Sequence, residues 1–460
     1  MSQSADSEIK DSILDVVGNT PLIRLRKLAK GVPAEVVVKV ESMNPGGSVK
    51  DRIGLRMIRD AEREGKLRPG GTIVECTSGN TGMGLAIAAA VLGYRAVFTI
   101  PDKMSAEKIN LLKAMGAEVV VTPTAVPPDS PESYYKVAER IVRETPGAVH
   151  ANQYHNPANP AAHYETTGPE IWRQTGGRVT HFVATLGTGG TISGTGKYLK
   201  EQNPSVRVIG VDPEGSILKD YHETKRIVEA KPYKVEGIGE DMIPSTLHFQ
   251  YIDEIVRVGD KESFLMARAL AREEGILSGG SCGAALAGAL KALQHAKPGD
   301  LAVVLLPDTG ERYLSKFYND EWMRDSGFLE PLSAPIREVL AHKPAGMPAL
   351  VTVEAERLVK DAIALIREHD ISVIPVLRGG VVVGTATENS LMRLVFENPE
   401  ILNRPVAEVM EGPLPRLTPK DSVESAVRLF SKKTPAVLVV AGENPVGILT
   451  SFDLIGFVSR

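Results

Sequence analysis

Between residues 36 and 310, short β-branched runs (VVVKV, TIVEC, AVFTI, AEVVVT, HFVATL, RVIGVD and DLAVVLL) alternate with helical stretches such as IGLRMIRDAEREG and KESFLMARALAREEG. The runs are largely apolar on both alternating faces, as strands covered on two sides must be, and a helix-length connection is what parallel pairing demands. The alternation predicts an α/β unit whose parallel strands carry crossover helices on both faces. At 460 residues the chain exceeds a single core, at about 150 residues per domain.

The alternation stops after Gly327. FLEPLSAPIREVL brings prolines and no strand pattern, so 331–342 is expected to be a linker. Beyond it, two segments repeat each other at a spacing of roughly 65 residues. The first runs PIREVL, LVTVEAERLVKDAIALIREHDISVIPVL, VVVGTATENSL; the second runs PVAEVM, LPRLTPKDSVESAVRLFSKKTPAVLVV, PVGILTSFDLI. Each predicts a short strand, an amphipathic helix, two apolar strands and a last helix opening at Thr387 or Thr450. The pair resembles the CBS-domain tandem (Bateman module), with domains over 343–398 and 399–460 after a catalytic unit over 1–330.

The balance of 53 basic against 57 acidic residues, a net charge of -4, gives no long-range attraction for nucleic acid or anionic lipid. Small-molecule chemistry is the better expectation. The two cysteines, Cys76 and Cys282, lack CxxC or Cys/His ligand spacing, so neither a disulfide scaffold nor a metal site is expected. MSQSADSEIKDSI has no basic start followed by an apolar core, and the longest apolar runs fall short of the roughly 20 residues a membrane helix needs. A soluble, cytoplasmic protein is expected.

Four glycine-rich turns stand before helices. In NPGGSVKDR (44–52), Ser48 and Asp51 have capping-box spacing, which would make Ser48 the N-cap and put Lys50 in the first helical turn. An ammonium there faces the positive end of the helix dipole, which moves its pKa down. That suits an amine used as nucleophile and base better than a structural lysine. The plainer alternative is a P-loop-like phosphate lysine, but GxxxxGK[ST] is not matched. TSGNTG, with Thr77, Ser78, Asn80 and Thr81, follows TIVEC and gathers amides and hydroxyls at a helix start, a place suited to an anion. Gly187, Thr188, Gly189, Gly190 and Thr191 follow HFVATL, where bare backbone can approach a phosphate; a close-packed turn is the alternative. The fourth turn, SGGSCG (278–283), would by itself be close packing, with Cys282 a small buried hydrophobe.

Taken in order, NPGGSVKDR, TSGNTG, GTGGT, GIG and PDTGERYLSKF over residues 12–328 resemble the fold type II family of pyridoxal-phosphate enzymes, in its β-replacing branch. The resemblance implies a tryptophan synthase β-like fold of two three-layer α/β subdomains and pyridoxal 5'-phosphate as cofactor. It implies that Lys50 holds the cofactor as a Schiff base and that the loop 187–191 cradles its phosphate. Asn80 then faces the ring hydroxyl and Ser281 the pyridine nitrogen. Thr77, Ser78, Thr81, Gln153, Tyr154 and Gly237 are implied around the substrate. The C-terminal tandem, VEGIGEDMIP (235–244) and YNDEWMRDSGFL favour the cystathionine-forming side of the branch, with L-serine and L-homocysteine as substrates. The cysteine-forming side, using O-acetylserine and sulfide, is the runner-up, and a non-catalytic nucleotide sensor is a remote third reading.

There are departures. Glu240 stands where animal members place a tyrosine; the plainer alternative is a surface-loop glutamate. Cys76 stands where proline is usual and is read as packing. The N-terminal haem segment of animal members has no counterpart here, so no haem is expected. In CBS tandems a [ST]xxD at the last helix supplies an aspartate to a ribose. Thr450 and Asp453 keep it in the second repeat, whereas Thr387 and Ser390 replace it in the first. The resemblance therefore implies at most one strong adenosyl site, with S-adenosylmethionine the first ligand to test; a tandem that only stabilises is the alternative. A homodimer is expected from the family and from the prevalence of two-fold assemblies.

Overall fold

The apolar runs form two sheets in the computed structural model, which describes residues 9–77, 79–102, 104, 106–123, 125–127, 130–329, 334–341, 343, 350–430, 434–442 and 444–458. The chain divides after Met323 into two units. In the first, the strands are β1 (Leu22–Arg24), β2 (Glu35–Val40), β3 (Thr72–Cys76), β4 (Arg95–Pro101), β5 (Glu118–Thr122), β6 (Ala148–His150), β7 (His181–Thr185), β8 (Arg207–Pro213), β9 (Glu254–Val258) and β10 (Leu301–Leu306). One sheet has the order β1-β2-β10-β7-β8-β9 and the other β5-β4-β3-β6. All pairs are parallel except β1 with β2.

The seven strands expected from apolar runs all form. The three that were not foreseen, β1, β6 and β9, are sheet edges. Their residues are half-exposed (LIR, AVH, EIVRV), so they lack the continuous apolar run that two-sided burial imposes. Each sheet has its own core. Leu85, Phe98, Ile53 and Ile73 belong to that of the smaller sheet, and Phe182, Ile192, Leu186 and Val303 to that of the larger.

Two helices position most of the chemistry. Helix α1 (Lys50–Arg63) buries Ile53, Gly54, Met57, Ile58 and Ala61, one face at helical spacing. Helix α2 (Asn80–Leu92) reads NTGMGLAIAAAVL, apolar almost all round, and is buried accordingly. They meet at glycines: a Cβ on Gly54 would lie 2.5 Å from the Gly84 carbonyl carbon, and one on Gly84 would lie 2.5 Å from the Lys50 carbonyl oxygen. Arg52 points from α1 into a buried charge cluster. Its guanidinium donates to Glu41 at 2.7 and 2.9 Å and to Glu170 at 2.7 and 2.8 Å, and the Lys39 ammonium reaches Glu170 at 2.7 Å.

The second unit is a duplication. Its sheets are β11 (Val353–Glu354), β12 (Val373–Arg378), β13 (Val381–Thr387) and β14 (Arg416–Leu417), β15 (Ala436–Ala441), β16 (Asn444–Thr450). Each has one parallel and one antiparallel pair, with a register shift at the equivalent place, Val376/Leu377 and Val439/Val440. The last helices follow Thr387 and Thr450 as expected.

Two sequence expectations are corrected in this unit. The stretch assigned to a linker carries the helix Ile336–Ala341, because Ile336 and Val339 are fully buried with Val423, Ala426 and Leu449; residues 331–333 and 342 lie outside the described residues. PIREVL also docks on the second repeat rather than the first, bridging Pro335 to Ser422, while PVAEVM docks on the first, bridging Pro405 to Leu358. Among the described residues no helix is long and apolar enough to cross a membrane.

Candidate active site

The expected capping box at Ser48 does not form. Val49 precedes the first helical residue and caps with no side chain, while the Ser48 hydroxyl accepts from the Lys50 N–H at 3.2 Å. Asp51 turns away to accept from the Gly46 N–H. The reason is that the backbone here is committed to the segment after β10. Val49 donates to the Pro307 carbonyl at 2.8 Å, Thr309 donates to Gly47 at 3.1 Å, and Ser48 bridges Asp308.

Lys50 stays where the sequence put it, at the first residue of α1. Its amine is buried and has no hydrogen-bond or ion-pair partner among the described residues. Burial pushes its pKa down, opposed by the charges of Asp308 and Glu240. A buried amine without a counter-ion is a nucleophile and base held ready for a carbonyl.

Asp308, which no spacing argument singled out, joins three motifs. Its carboxylate accepts from the Asn80 amide at 2.9 Å and from the Tyr313 hydroxyl at 2.7 Å, and its carbonyl accepts from the Cys282 thiol at 3.3 Å. Arg312 donates to the Asn80 side-chain oxygen and to the Gly46 carbonyl. Cys282 is thus a weak donor as well as packing, and burial and then Asp308 push its thiol pKa well up. Ser281, buried in the first turn of the helix Gly280–Ala292, has a hydroxyl without a hydrogen-bond partner among the described residues.

A second path ties the substrate turn to the glycine loop. The Thr77 hydroxyl accepts from the Gly79 and Gly82 amides at 3.0 and 3.3 Å, shaping the turn; Ser78 lies outside the described residues. The Thr81 hydroxyl donates to Gln153 at 2.6 Å, and the Asn159 amide donates to the Gln153 carbonyl at 2.8 Å and the Thr188 hydroxyl at 3.0 Å. Thr246 then donates to the Thr188 and Tyr154 carbonyls at 2.6 and 3.0 Å. Asn159 and Thr246 were missed because nothing local marks them. The loop 187–191 opens the helix Gly190–Gln202, with Gly189 at φ 80°. A Cβ on Gly190 would collide with the Asn159 side chain. Thr191 contacts His163 at 3.2 Å, whose burial, with Arg52 nearby, lowers its pKa to about 3.

The segment 235–244 closes this end of the sheet. Gly239 donates to the Leu186 carbonyl at 2.6 Å, and the Gly237 carbonyl lies where a Cβ on Gly187 would go, 2.9 Å away. Glu236 pairs with Lys108 and Lys316. Glu240 is not the surface-loop glutamate of the plainer alternative. Its carboxyl is buried, and that burial, with Asp241 adding and Lys50 opposing, raises its pKa to about 8.

This donor set fits pyridoxal phosphate. An amine and, at another helix start, a hydroxyl, both without partners among the described residues, and a helix N-terminus with backbone amides and threonine hydroxyls all lie at the ends of parallel strands.

Residues 13–308 match the family model "Pyridoxal-phosphate dependent enzyme", and residues 336–397 and 406–460 match the CBS domain. The chain is 39% identical over 466 residues to the cystathionine beta-synthase of Dictyostelium discoideum, covering 98% of this chain and 93% of that one. It is 46% identical over 391 residues to the cystathionine beta-synthase of Mus musculus, covering 84% and 70%. The crystal structure of O-ureido-L-serine synthase aligns with a TM-score of 0.63 at 40% identity, covering 69% of this chain and 99% of that one. Fold and site therefore define a pyridoxal-phosphate dependent lyase with a CBS pair. Within that class, the chain belongs to the cystathionine beta-synthase family.

Proposed function

We propose that the first unit replaces the β-hydroxyl of L-serine by the thiol of L-homocysteine, giving L-cystathionine and water. The observation that carries the reading is the buried, unpaired Lys50 amine at the head of α1, together with likeness to cystathionine beta-synthases over nearly the whole chain. When bound, pyridoxal phosphate supplies an electron sink that acidifies the Cα hydrogen of an amino acid joined to it.

The residues divide the work. Lys50 holds the cofactor, then as a free base takes the Cα proton and returns it after the β-substituent has been exchanged. The amides and hydroxyls of 187–191 receive the phosphate at the helix N-terminus. Asn80, fixed between Asp308 and Arg312, would position the cofactor ring, and the neutral Ser281 hydroxyl would face the ring nitrogen and temper the electron sink. Thr77, Ser78, Thr81 and Gln153 hold the substrate carboxylate, and Tyr154 and Gly237 border it. Burial of Lys50 keeps its unprotonated form accessible.

The test is a side-by-side turnover assay, serine with homocysteine against O-acetylserine with sulfide. Cystathionine formation at the higher kcat/KM is expected; cysteine formation alone would overturn the reading.

An adenosyl ligand, S-adenosylmethionine first, would bind the second unit at Thr450 and Asp453. There the Asp453 carboxylate accepts from the Thr450 N–H at 2.7 Å and hydroxyl at 2.9 Å, with Lys343 at 3.4 Å, so the ribose must displace a closed cap. In the first repeat Ser390 closes on Thr387 instead, hydroxyl to hydroxyl at 2.9 Å, with no carboxylate to offer a diol. A titration that leaves both melting temperature and rate unchanged would sink this assignment. A homodimer in the cytoplasm completes the reading; the two buried free thiols suit a reducing compartment.

A further inference from the structure

Strand β3 ends in Glu75 and Cys76, and its parallel neighbour β6 ends in His150, with Val74 opposite His150 in the register. Spacing along the chain hid this grouping; strand pairing creates it. A carboxylate oxygen of Glu75, the Cys76 sulfur and a ring nitrogen of His150 all lie within 4.8 Å of one another. Ligands bound at 2.0–2.3 Å around a tetrahedral zinc ion lie about 3.3–3.8 Å apart, so a contraction of at most about 1.0–1.5 Å closes the set.

We propose that Glu75, Cys76 and His150 form a binding site for one zinc-like divalent transition-metal ion, outside the pyridoxal-phosphate site. Four observations support it. The Nε2 atom of His150 is buried without a hydrogen-bond partner and stands 3.9 Å from Glu75 Oε2. Glu75 is fully buried, yet no lysine or arginine among the described residues pairs with it. Its carboxylate accepts from the Asn152 N–H at 2.6 Å and from the Gln153 N–H at 3.5 Å, the kind of outer hydrogen bonds that orient a ligand. Finally, His150 lines a cavity of about 240 Å³ shared with Asp60, Glu64, Asn152 and His155, which opens a path to the histidine.

The ligand types define the ion. One thiolate, one imidazole and one carboxylate suit zinc or cobalt rather than magnesium or calcium, which take oxygen ligands. Binding forms the metal–sulfur bond and releases the thiol proton to water, with no change of oxidation state. Because binding releases that proton, affinity rises with pH. Thr77 follows Cys76 directly and Gln153 follows His150 closely, so the ion braces the floor of the substrate turn.

Chelator-treated holoenzyme titrated with Co²⁺ provides the test. One ion per chain is expected, with tetrahedral ligand-field bands and a thiolate-to-cobalt charge-transfer band that Zn²⁺ abolishes by displacement. Cys76→Ser and His150→Gln should each raise the dissociation constant by more than the roughly 10- to 100-fold that losing an outer partner costs, while keeping the pyridoxal absorbance. Absence of the charge-transfer band at saturating Co²⁺, or unchanged binding in Cys76→Ser, would overturn the proposal. The wild-type spectrum decides the question even where a variant fails to fold.

Discussion

Lys50 stands at the start of α1 with a buried amine that no described residue pairs, and its chemistry should be separable from its packing. Lys50→Ala should cut cystathionine formation by at least about a hundred- to ten-thousand-fold, the range for losing a general base, and abolish covalent retention of the cofactor on gel filtration. Two residues on, Arg52 does structural work. Burial would raise the Glu170 pKa, but Arg52 and Lys39 outweigh it and hold the carboxyl at about 2. Its contribution to stability is thus complete above the ordinary carboxylate value of 4.5 and lost as pH falls toward 2. Glu170→Gln leaves Lys39 and Arg52 short of charge and should cost about 3–5 kcal/mol in urea unfolding at pH 7, with a flatter acid limb. The sequence shows Lys50, Asn80 and Ser281 because each sits in a contiguous glycine-rich turn. It hides Asp308, Asn159 and Thr246, whose partners are distant in the chain, and it leaves the burial of Glu240 open, because that depends on how 235–244 folds back.

At the scale of elements, the contact of α1 with α2 through Gly54 and Gly84 fixes the lysine relative to the substrate turn. Alanine is ordinarily better than glycine inside a helix by about 1 kcal/mol. At Gly54 the sign reverses, because the new methyl would sit 2.5 Å from backbone that cannot swing aside. Gly54→Ala should destabilise by about 1–3 kcal/mol and lower kcat more than it raises KM, as followed by thermal unfolding and steady-state kinetics. Legibility at this scale follows burial. Central strands announce themselves as apolar runs, whereas β1, β6 and β9 on sheet edges do not. The helix Ile336–Ala341 was hidden by the prolines that precede it, Pro331 and Pro335, although its Ile336 and Val339 keep helical spacing and fill a core.

Over the whole molecule, every sheet is completed inside one unit, and the repeat and the α/β alternation made that division readable in advance. A chain shortened to end at Met323 should therefore fold, keep the pyridoxal absorbance and retain basal turnover within about threefold while losing any response to S-adenosylmethionine; loss of the cofactor band would count against independent units. The larger sheet places β10, residues 301–306, between β2, residues 35–40, and β7. On a ribosome adding about 5–20 residues per second, the centre of that sheet is thus among its last parts to be made. For about 6–23 seconds between β7 and β10 the nascent chain carries two apolar strands with open edges and nothing to join them. Synthesis order makes this unit a client for chaperones until its final strand emerges, whereas each short CBS repeat closes its own sheet almost as soon as it is translated.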